Sequence, residues 1–372
     1  MSQTKVEAPF VENSRHFRNF IINGDMEIWQ RATAATAVSD GSYSACDRWH
    51  FPFYGTDGAM TTERETLSDA DQATTGMYYC NLLTCTTADT SVAANSIVQM
   101  RQTIEAQFCQ PFKYGTSAAK TLTLSFYAKA NASKTYGVSI WKRDSTAYYW
   151  FQDIAVTTSW KKFEIVISPT AGSTSLITAS GGDIVNDNGE GIEVSFVLAS
   201  GSNYQATADT WTSNGDFNTS SLDNFLSSTD NTFRVTGVQL EIGDAATDFE
   251  HLPHDVQLRR CQRYYQQIPH TASGSYQATP VWGINANAMS TRFPLPVTMR
   301  AAPTGGTKGT LNTDIKGYYN GGYQTLTACS VTDTTDCSVR VDLNSSGAFA
   351  ANDSGGIYIV TTSGRLTMTA EL

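Results

Sequence analysis

Five stretches of the chain alternate between apolar and polar residues with a period of two. Such alternation puts successive side chains on opposite faces of a strand, and it is typical of strands with one buried face. Turn-forming Gly, Asn, Asp and Ser residues separate the stretches, and no helical pattern lies between them. The pattern therefore predicts an all-β fold whose N-terminal part is a β-sandwich or a jelly roll, and it argues against a parallel sheet. The stretches are 121–128, 136–141, 162–167, 192–198 and 232–240.

One segment departs from this alternation and has the spacing of a helix. Leu258, Cys261 and Tyr265 stand at i, i+3 and i+7, which places them on one helical face. A helix of about four turns is marginal alone, so we expect it to pack on another surface. We predict a short connecting helix at 253–268 that packs against other copies of the chain. The candidate contacts between subunits are Leu258, Cys261, Tyr264 and Tyr265.

The segments on either side of these patterns complete the predicted domain organisation. Residues 1–18 are polar and without a period, which indicates an N-terminal arm or anchor. Residues 19–252 form the predicted jelly-roll domain. After the helix, residues 269–372 become strand-like again, and about a hundred residues suffice for a smaller C-terminal β-sandwich domain.

Composition excludes two classes of partner. The chain has 372 residues, with 35 Asp and Glu against 25 Lys and Arg, a formal net charge of -10. An acidic chain without a basic block is a poor nucleic-acid binder, because phosphate neutralisation dominates that affinity. No apolar run of about 18 residues is present, so we expect no membrane insertion. The N-terminus also lacks the apolar core of a secretory signal.

The seven cysteines give no metal or redox motif, because no C-x-x-C pair occurs. Buried thiols in a reducing cytoplasm are the expected state. Cys329 and Cys337 flank a polar turn and are the one pair that we consider for a disulfide across a hairpin.

The sequence lacks the common catalytic motifs. Those of zinc proteases, P-loop enzymes, dinucleotide-binding enzymes and serine hydrolases are all missing. Glu63 with Glu65, and Glu190 with Glu193, are weak candidates for the paired carboxylates of a glycosidase. We therefore expect a protein that is not an enzyme.

Aromatic residues cluster at 141–151 and at 204–211. Aromatic rings bind sugars by stacking, while amides and carboxylates satisfy the hydroxyls. In an alternating strand, Tyr148 and Trp150 point to one side and Tyr149 and Phe151 to the other, so one set belongs to the core. The other set is a platform for a sugar or for another subunit. The candidates for carbohydrate binding are Trp141, Tyr148, Trp150, Tyr204 and Trp211.

Two pairs of motifs carry a family resemblance. The first pair is NFIINGDMEIWQR at 19–31 with ACDRW at 45–49. The second is VQLEIG through DFEH at 238–251 with RCQRYY at 260–265. Together they resemble bacteriophage tail-fibre and virion structural proteins, whose N-terminal domain is similar to jelly-roll carbohydrate-binding modules. The resemblance covers 19–267 and continues into FPLPVTMRAAPT at 293–304.

The resemblance implies a phage virion structural protein, a tail fibre or receptor-binding component that attaches to host surface glycans. Its expected partners are two further copies in a homotrimer, other virion or tail proteins, and the glycan. It would be made in the host cytoplasm and reside in the virion. One alternative is a capsid decoration or tail adaptor protein that contacts only virion proteins. The least supported alternative is a polysaccharide-degrading enzyme.

The resemblance also implies where a structural calcium would bind, although we expect no cofactor. Related modules often use an early Asn-Gly-x-x-Glu stretch for this ion, and Asn23, Gly24 and Glu27 match that pattern. The late strand often supplies acidic residues, but this sequence has Gln239 there. Because calcium takes six or more oxygen ligands, that departure weakens the site.

Overall fold

The computed structural model describes residues 17–268, 276–352, 354–361 and 363–372. Residues 1–16 of the predicted N-terminal arm lie outside the described residues. The chain divides into two compact units, Met1–Pro253 and His254–Leu372. Both units are built from antiparallel strands, so the predicted all-β class is confirmed. Within the described residues, no helix is long and apolar enough to span a membrane.

The first unit is a jelly-roll sandwich of two antiparallel sheets around one core. It contains helix α1 (Asp69–Thr75) and the strands β1 (Thr36–Ala37), β2 (Phe53–Tyr54), β3 (Ala59–Thr66), β4 (Tyr79–Thr87), β5 (Ile97–Glu105), β6 (Leu122–Ala130), β7 (Lys134–Lys142), β8 (Tyr148–Val156), β9 (Lys161–Ile167), β10 (Glu190–Ser200) and β11 (Thr232–Ile242). One sheet has six strands in the order β1-β3-β4-β11-β6-β9. The other has five in the order β2-β5-β10-β7-β8.

All five alternating stretches form strands, and the alternation is the cause. In β9, Phe163, Ile165 and Ile167 are buried, whereas the residues between them are exposed. Burial of one face removes apolar area from water at about 25 cal/mol per Å², which stabilises the strand against the opposite sheet. The core at the centre of the sandwich includes Trp49 and Phe196, with ring centroids 6.0 Å apart.

A buried asparagine organises the first motif. Asn23 is buried and has a φ of 59°. Asn tolerates this left-handed conformation better than most residues do. Its side-chain oxygen accepts a hydrogen bond from the Ile28 N–H at 2.8 Å. Its amide nitrogen donates to the carbonyls of Ile28 and Asp47 at 2.8 and 3.0 Å. The indole of Trp49 donates to the Asn23 carbonyl at 3.2 Å, so one residue joins both parts of the motif.

The next residue brings this motif onto the central strand β11. The Val238 N–H donates to the Gly24 carbonyl at 2.9 Å. A Cβ on Gly24 would lie 2.0 Å from the Val238 carbonyl oxygen, which is backbone and cannot move aside. Only glycine permits this close approach of the two backbones.

The second motif forms a hydrogen-bonded clamp of Gln239, Glu241, Thr247 and Glu250. The Glu241 carboxylate accepts from the backbone N–H and the hydroxyl of Thr247, at 2.8 and 2.7 Å. The Gln239 side-chain oxygen accepts from the Glu250 N–H at 2.9 Å. The Glu250 carboxylate in turn accepts from the Asn19 N–H at 2.9 Å. The clamp therefore fastens the segment after β11 and the start of the described chain to one strand.

The second unit is a smaller sandwich. It contains helix α2 (His254–Gln262) and the strands β12 (Tyr265–Ile268), β13 (Tyr276–Asn285), β14 (Ala288–Pro294), β15 (Thr304–Lys308), β16 (Ile315–Tyr319), β17 (Gly322–Gln324), β18 (Leu326–Thr332), β19 (Ser338–Ser345), β20 (Ser354–Ile359) and β21 (Arg365–Thr369). A seven-stranded sheet has the order β17-β16-β20-β13-β14-β19-β18, and a three-stranded sheet has the order β12-β21-β15. Both sheets contribute to one core, which includes Val341, Ile357 and Met368.

The predicted helix at 253–268 is too long. Helix α2 ends at Gln262, and β12 pairs instead with β21 over four residues. The prediction that Cys261, Tyr264 and Tyr265 contact other subunits is also wrong, because they are 0%, 1% and 7% exposed in the single chain. Leu258 is half-buried and remains a candidate contact.

The disulfide considered between Cys329 and Cys337 does not form. The register of β18 and β19 places Cys329 opposite Leu343. Cys337 lies before β19 in the connection and is exposed. All seven cysteines are free thiols.

We predict that Gly24→Ala destabilises the protein by about 3 kcal/mol or more, because the new methyl group overlaps the Val238 carbonyl. Gly322→Ala is the matched control, since no atom lies within 4 Å of its added Cβ and its φ is not positive. We expect it to change stability by less than about 0.5 kcal/mol. Chemical denaturation measures both, and equal midpoints for the two variants would contradict the role of Gly24.

Candidate functional site

The outer face of the five-stranded sheet carries a row of aromatic and charged side chains. Alternate residues of β5, β10, β7 and β8 point away from the core. The strand register places Thr103, Glu193, Trp141 and Tyr149 side by side across these four strands. Residues that are distant in sequence are thereby brought to one surface.

The two aromatic rings of this row form a platform. The Trp141 and Tyr149 rings are stacked, with centroids 5.1 Å apart and an interplanar angle of 21°. The Arg143 guanidinium carbon lies 3.8 Å from the centre of the Trp141 ring. This arrangement is a cation–π contact. Both rings are half-buried. The Trp141 indole N–H makes no hydrogen bond within the described part of the chain.

A buried carboxylate holds two arginines beside the platform. Glu193 is buried, and its two oxygens accept from Nη1 of Arg101 at 3.2 Å and Nη1 of Arg143 at 2.8 Å. The Nε of Arg143 also donates to Glu190 at 2.8 Å. Charge-assisted hydrogen bonds of this kind fix guanidinium orientation. Two cations and two anions cancel, so the cluster carries no net charge.

His50 supports this cluster from its edge. The Nε of Arg101 donates to Nδ1 of His50 at 2.9 Å, which requires that this nitrogen be unprotonated. Burial, together with the positive charge of Arg101, lowers the pKa of His50 to about 4. The imidazole is therefore neutral at pH 7 and serves as an acceptor for Arg101.

Residues 204–223, which we call the strap, run beside β8, where the backbone of Thr212 pairs with that of Tyr149, and continue over part of the same sheet face. Phe217 of the strap packs with Ile97 and Val197, two residues that point outward from the sheet. The hydroxyl of Thr219 donates to Asp153 on β8 at 2.6 Å. The strap therefore covers the part of this face around Ile97, Val197 and Asp153.

The five predicted sugar-binding aromatics fall in three different environments. Trp141 lies on the outer face, in the platform. Tyr204 lies in the strap, where it stacks on a neighbouring ring. The predictions for Tyr148, Trp150 and Trp211 are wrong, since these side chains are 8%, 0% and 1% exposed and belong to the core. Alternation correctly separated Tyr148 and Trp150 from Tyr149 and Phe151. Tyr148 and Trp150 are the pair that points into the core.

Sequence reasoning missed Arg143, Arg101 and His50. Arg143 had a local signal, because it stands two positions after Trp141 and so shares its face of the chain at the end of β7. No local signal marks Arg101 or His50, since their partners lie on other segments.

Three of the four carboxylates in the two acidic pairs are ion-paired with arginine. Glu65 is ion-paired with Arg234, with Oε1 and Nη2 3.0 Å apart. Burial tends to raise its pKa, but the hydrogen bonds and charge of Arg234 outweigh this and lower the pKa of Glu65. A general acid requires the opposite shift. Glu190 and Glu193 are both held by Arg143.

The implied calcium ligands stay a prediction, and the Asn23 side chain among them takes part in the hydrogen bonds of the fold. The side-chain oxygen of Asn23 accepts from the Ile28 N–H. The side-chain amide of Gln239 donates to the Glu241 carboxylate at 2.9 Å. Gln239 therefore supports the fold and adds no negative charge for a cation. Across the described ranges, no group of three or more His, Cys, Asp or Glu side chains is arranged to hold a metal, and Glu27 therefore belongs to none.

Comparison with known proteins gives similarity only to solved structures. No protein-family model and no curated protein matches the chain. A CBM4 structure is 14% identical, with 59% of this chain and 98% of that chain covered and a TM-score of 0.29. The enzymatically active domain of bacteriophage CBA120 tailspike protein 4 is 16% identical over 61% of this chain and 22% of that one, with a TM-score of 0.29.

A third similar structure is the family 11 carbohydrate-binding module of Clostridium thermocellum with a β-1,3-1,4-mixed-linked tetrasaccharide. It is 12% identical, with 59% of this chain and 99% of that chain covered and a TM-score of 0.28. Identities and TM-scores this low assign none of these proteins' functions to the chain.

We predict that the stability of the protein falls as the pH is lowered from 6.5 to 4, in part because of His50. In this window the unfolded chain protonates His50 while the folded protein keeps it neutral, so protons favour unfolding. The contribution of His50 to this fall in the free energy of unfolding is about 3 kcal/mol. The His50→Gln variant lacks this titrating group. In urea denaturation, its free energy of unfolding should therefore fall less between these two pH values than that of the wild type. His251→Gln, at an exposed histidine, should keep the wild-type fall.

We predict that Glu193→Gln destabilises the protein by about 3 kcal/mol, because it leaves Arg101 and Arg143 without their shared buried anion. Glu164→Gln is the control. Its ion pair with Lys162 is more exposed, with side-chain exposures of 49% for Glu164 and 35% for Lys162. That pair should contribute less than about 1 kcal/mol. Urea denaturation at neutral pH compares the two, and a loss for Glu193→Gln no larger than for the control would refute the buried cluster.

Proposed function

We propose that the chain is a structural protein of a bacteriophage virion, a tail fibre or receptor-binding component that attaches to host surface glycans without catalysis. The observation that carries the glycan part is the Trp141–Tyr149 platform beside the Glu193 cluster. The virion part is supported by the resemblance of the two motif stretches to phage structural proteins.

The chemistry of the platform suits a sugar. Aromatic rings offer an apolar surface for the C–H groups of a pyranose ring. Sugar hydroxyls both donate and accept hydrogen bonds, and the cluster offers both kinds of group. The Nη2 atoms of Arg101 and Arg143 are donors, and the carboxylate of Glu190 is an acceptor. The Glu190 side chain is 39% exposed, so a ligand can reach it. Because the cluster carries no net charge, it favours a neutral, hydroxyl-rich ligand.

The family motifs themselves are assigned a structural role in this proposal. Asn23, Gly24 and the clamp hold backbone segments together and leave the platform to other residues. A non-catalytic role is supported by the ion-paired state of Glu65, Glu190 and Glu193. Assembly into a homotrimer is part of the proposal, since fibres are built on cyclic symmetry, and sedimentation velocity of the full chain measures it.

A second candidate function is an adaptor or capsid decoration protein that contacts only virion proteins. An exposed apolar surface on the second unit favours it. Trp282, Ile284 and Tyr323 are 53%, 43% and 48% exposed, on the seven-stranded sheet. Exposed apolar patches often mark protein–protein contacts.

We predict that Trp141→Ala and Tyr149→Ala each weaken binding to host glycans on an array by about tenfold or more, because each removes half of the stacking surface. Trp282→Ala is the matched control, an exposed tryptophan on the other unit, and should bind as the wild type does. Unchanged melting temperatures establish that the variants are folded.

Two outcomes would contradict the proposal. Binding that survives both platform variants would place the glycan elsewhere. A wild-type chain that binds no host glycan but co-purifies with virion proteins, and loses them on Trp282→Ala, would establish the adaptor function instead.

A further inference from the structure

A groove of about 260 Å³ lies on the outer face of the six-stranded sheet, on the other side of the sandwich from the platform. Its floor is formed by Ser125 and Tyr127 of β6, Lys162 of β9 and Gly237 of β11. One wall is the segment 74–77 at the end of α1, and the other is 247–251. The second wall is the segment that the clamp holds in place.

Gly237 has no side chain, which leaves space above the floor of the groove at this position. It has a φ of 62° at an irregularity in the pairing of β11 with β6. This left-handed conformation favours glycine. A Cβ at this position would lie 3.3 Å from both Met77 and the Tyr127 ring. A side chain here would therefore strain the backbone and narrow the space between the two walls.

The groove combines one apolar surface with polar groups that the fold does not use. Phe249 and Met77 supply apolar contact, and the His251 ring packs edge-on against Phe249 at 5.0 Å. Ser125 is buried, and its hydroxyl makes no hydrogen bond within the described residues. The exposed carboxylate of Asp248 likewise has no hydrogen-bond donor among the described side chains. Glu164 is the main cause of the raised pKa of Lys162, and the charge of Asp248 adds a smaller effect in the same direction.

These groups define the ligand. The ammonium of Lys162 is ion-paired with Glu164 at 2.7 Å, so with the carboxylate of Asp248 the groove has no excess positive charge and does not select an anion. The Ser125 hydroxyl has no partner in the protein and is open to the groove, so a ligand group that bonds to it takes the place of water. The volume is below the about 300–1,000 Å³ of drug-sized sites, which suits one ring and not an extended chain.

We propose that this groove is a second carbohydrate site that binds a single neutral sugar ring, with its C–H face against Phe249 and its hydroxyls toward Ser125 and Asp248. The inference rests on the proposed glycan-binding function and adds a separate contact on the opposite sheet. Two sites on one subunit, repeated in an oligomer, would raise the avidity for a branched or dense glycan.

The test uses the full chain and a panel of methyl hexopyranosides at millimolar concentration, with saturation-transfer NMR as the readout. We expect at least one member of the panel to bind. Asp248→Ala with His251→Ala should weaken that binding about tenfold. Both residues are exposed, so the variant should fold. Ser125→Leu fills the groove and should abolish binding. Asp230→Ala is the control at an exposed aspartate outside the groove lining.

The outcomes separate this inference from the proposed function. A sugar that binds the wild type and the groove variants equally, but not Trp141→Ala, would overturn the groove and leave the platform standing. A sugar lost in the groove variants but retained by Trp141→Ala would support the groove even if the platform failed on the glycan array. Failure of every methyl hexopyranoside to bind the wild-type chain would overturn the groove.

Discussion

The first unit depends on the contact between the start of the described chain and strand β11. The side chain of Asn19 donates to the Val238 carbonyl at 3.0 Å and accepts from the Leu240 N–H at 3.1 Å. The bond to Val238 joins residues that are 219 positions apart in the sequence. Gly24 completes the contact, because without a side chain its backbone can lie directly against the backbone of Val238. Because β11 lies between β4 and β6 in the six-stranded sheet, this contact fixes the strand that carries both the clamp and the floor of the groove. Closing so long a loop has an entropic cost, which the buried hydrogen bonds and the core must offset.

Much of the fold was predictable from local pattern, because a period of two directly reports a face that is buried. The stretch 162–167 shows this most clearly, since its apolar positions Phe163, Ile165 and Ile167 are buried in β9. The segment 265–268 was not predictable. Its sequence, YQQI, is too short to show the period of a helix or of a strand, and its state is decided by pairing with β21, about a hundred residues further along the chain. Local propensity contains no information about that partner.

The candidate site was predictable only in part, for a similar reason. Alternation separated Tyr148 and Trp150 from Tyr149, but which set faces the core depends on the opposite sheet. Phe151 shares the outward face and is nevertheless buried, because the strap runs beside it and its carbonyl accepts from the Asp209 N–H. The Glu193 cluster joins charges from β5, from β10 and from the position just after β7, and no spacing in the sequence relates the three segments. The family motifs, which were the strongest sequence signal, mark residues that hold the fold together.

The strap has a consequence for the direction from which anything can reach the platform. A long polymer lying across all the strands of the five-stranded sheet would need the path that Phe217 and Thr219 occupy. The strap also passes the platform itself, because the backbone of Thr212 pairs with that of Tyr149. The connection between β10 and β11 therefore shapes the space beside the platform, and its buried Trp211, Phe225 and Leu226 side chains anchor it in the sandwich core.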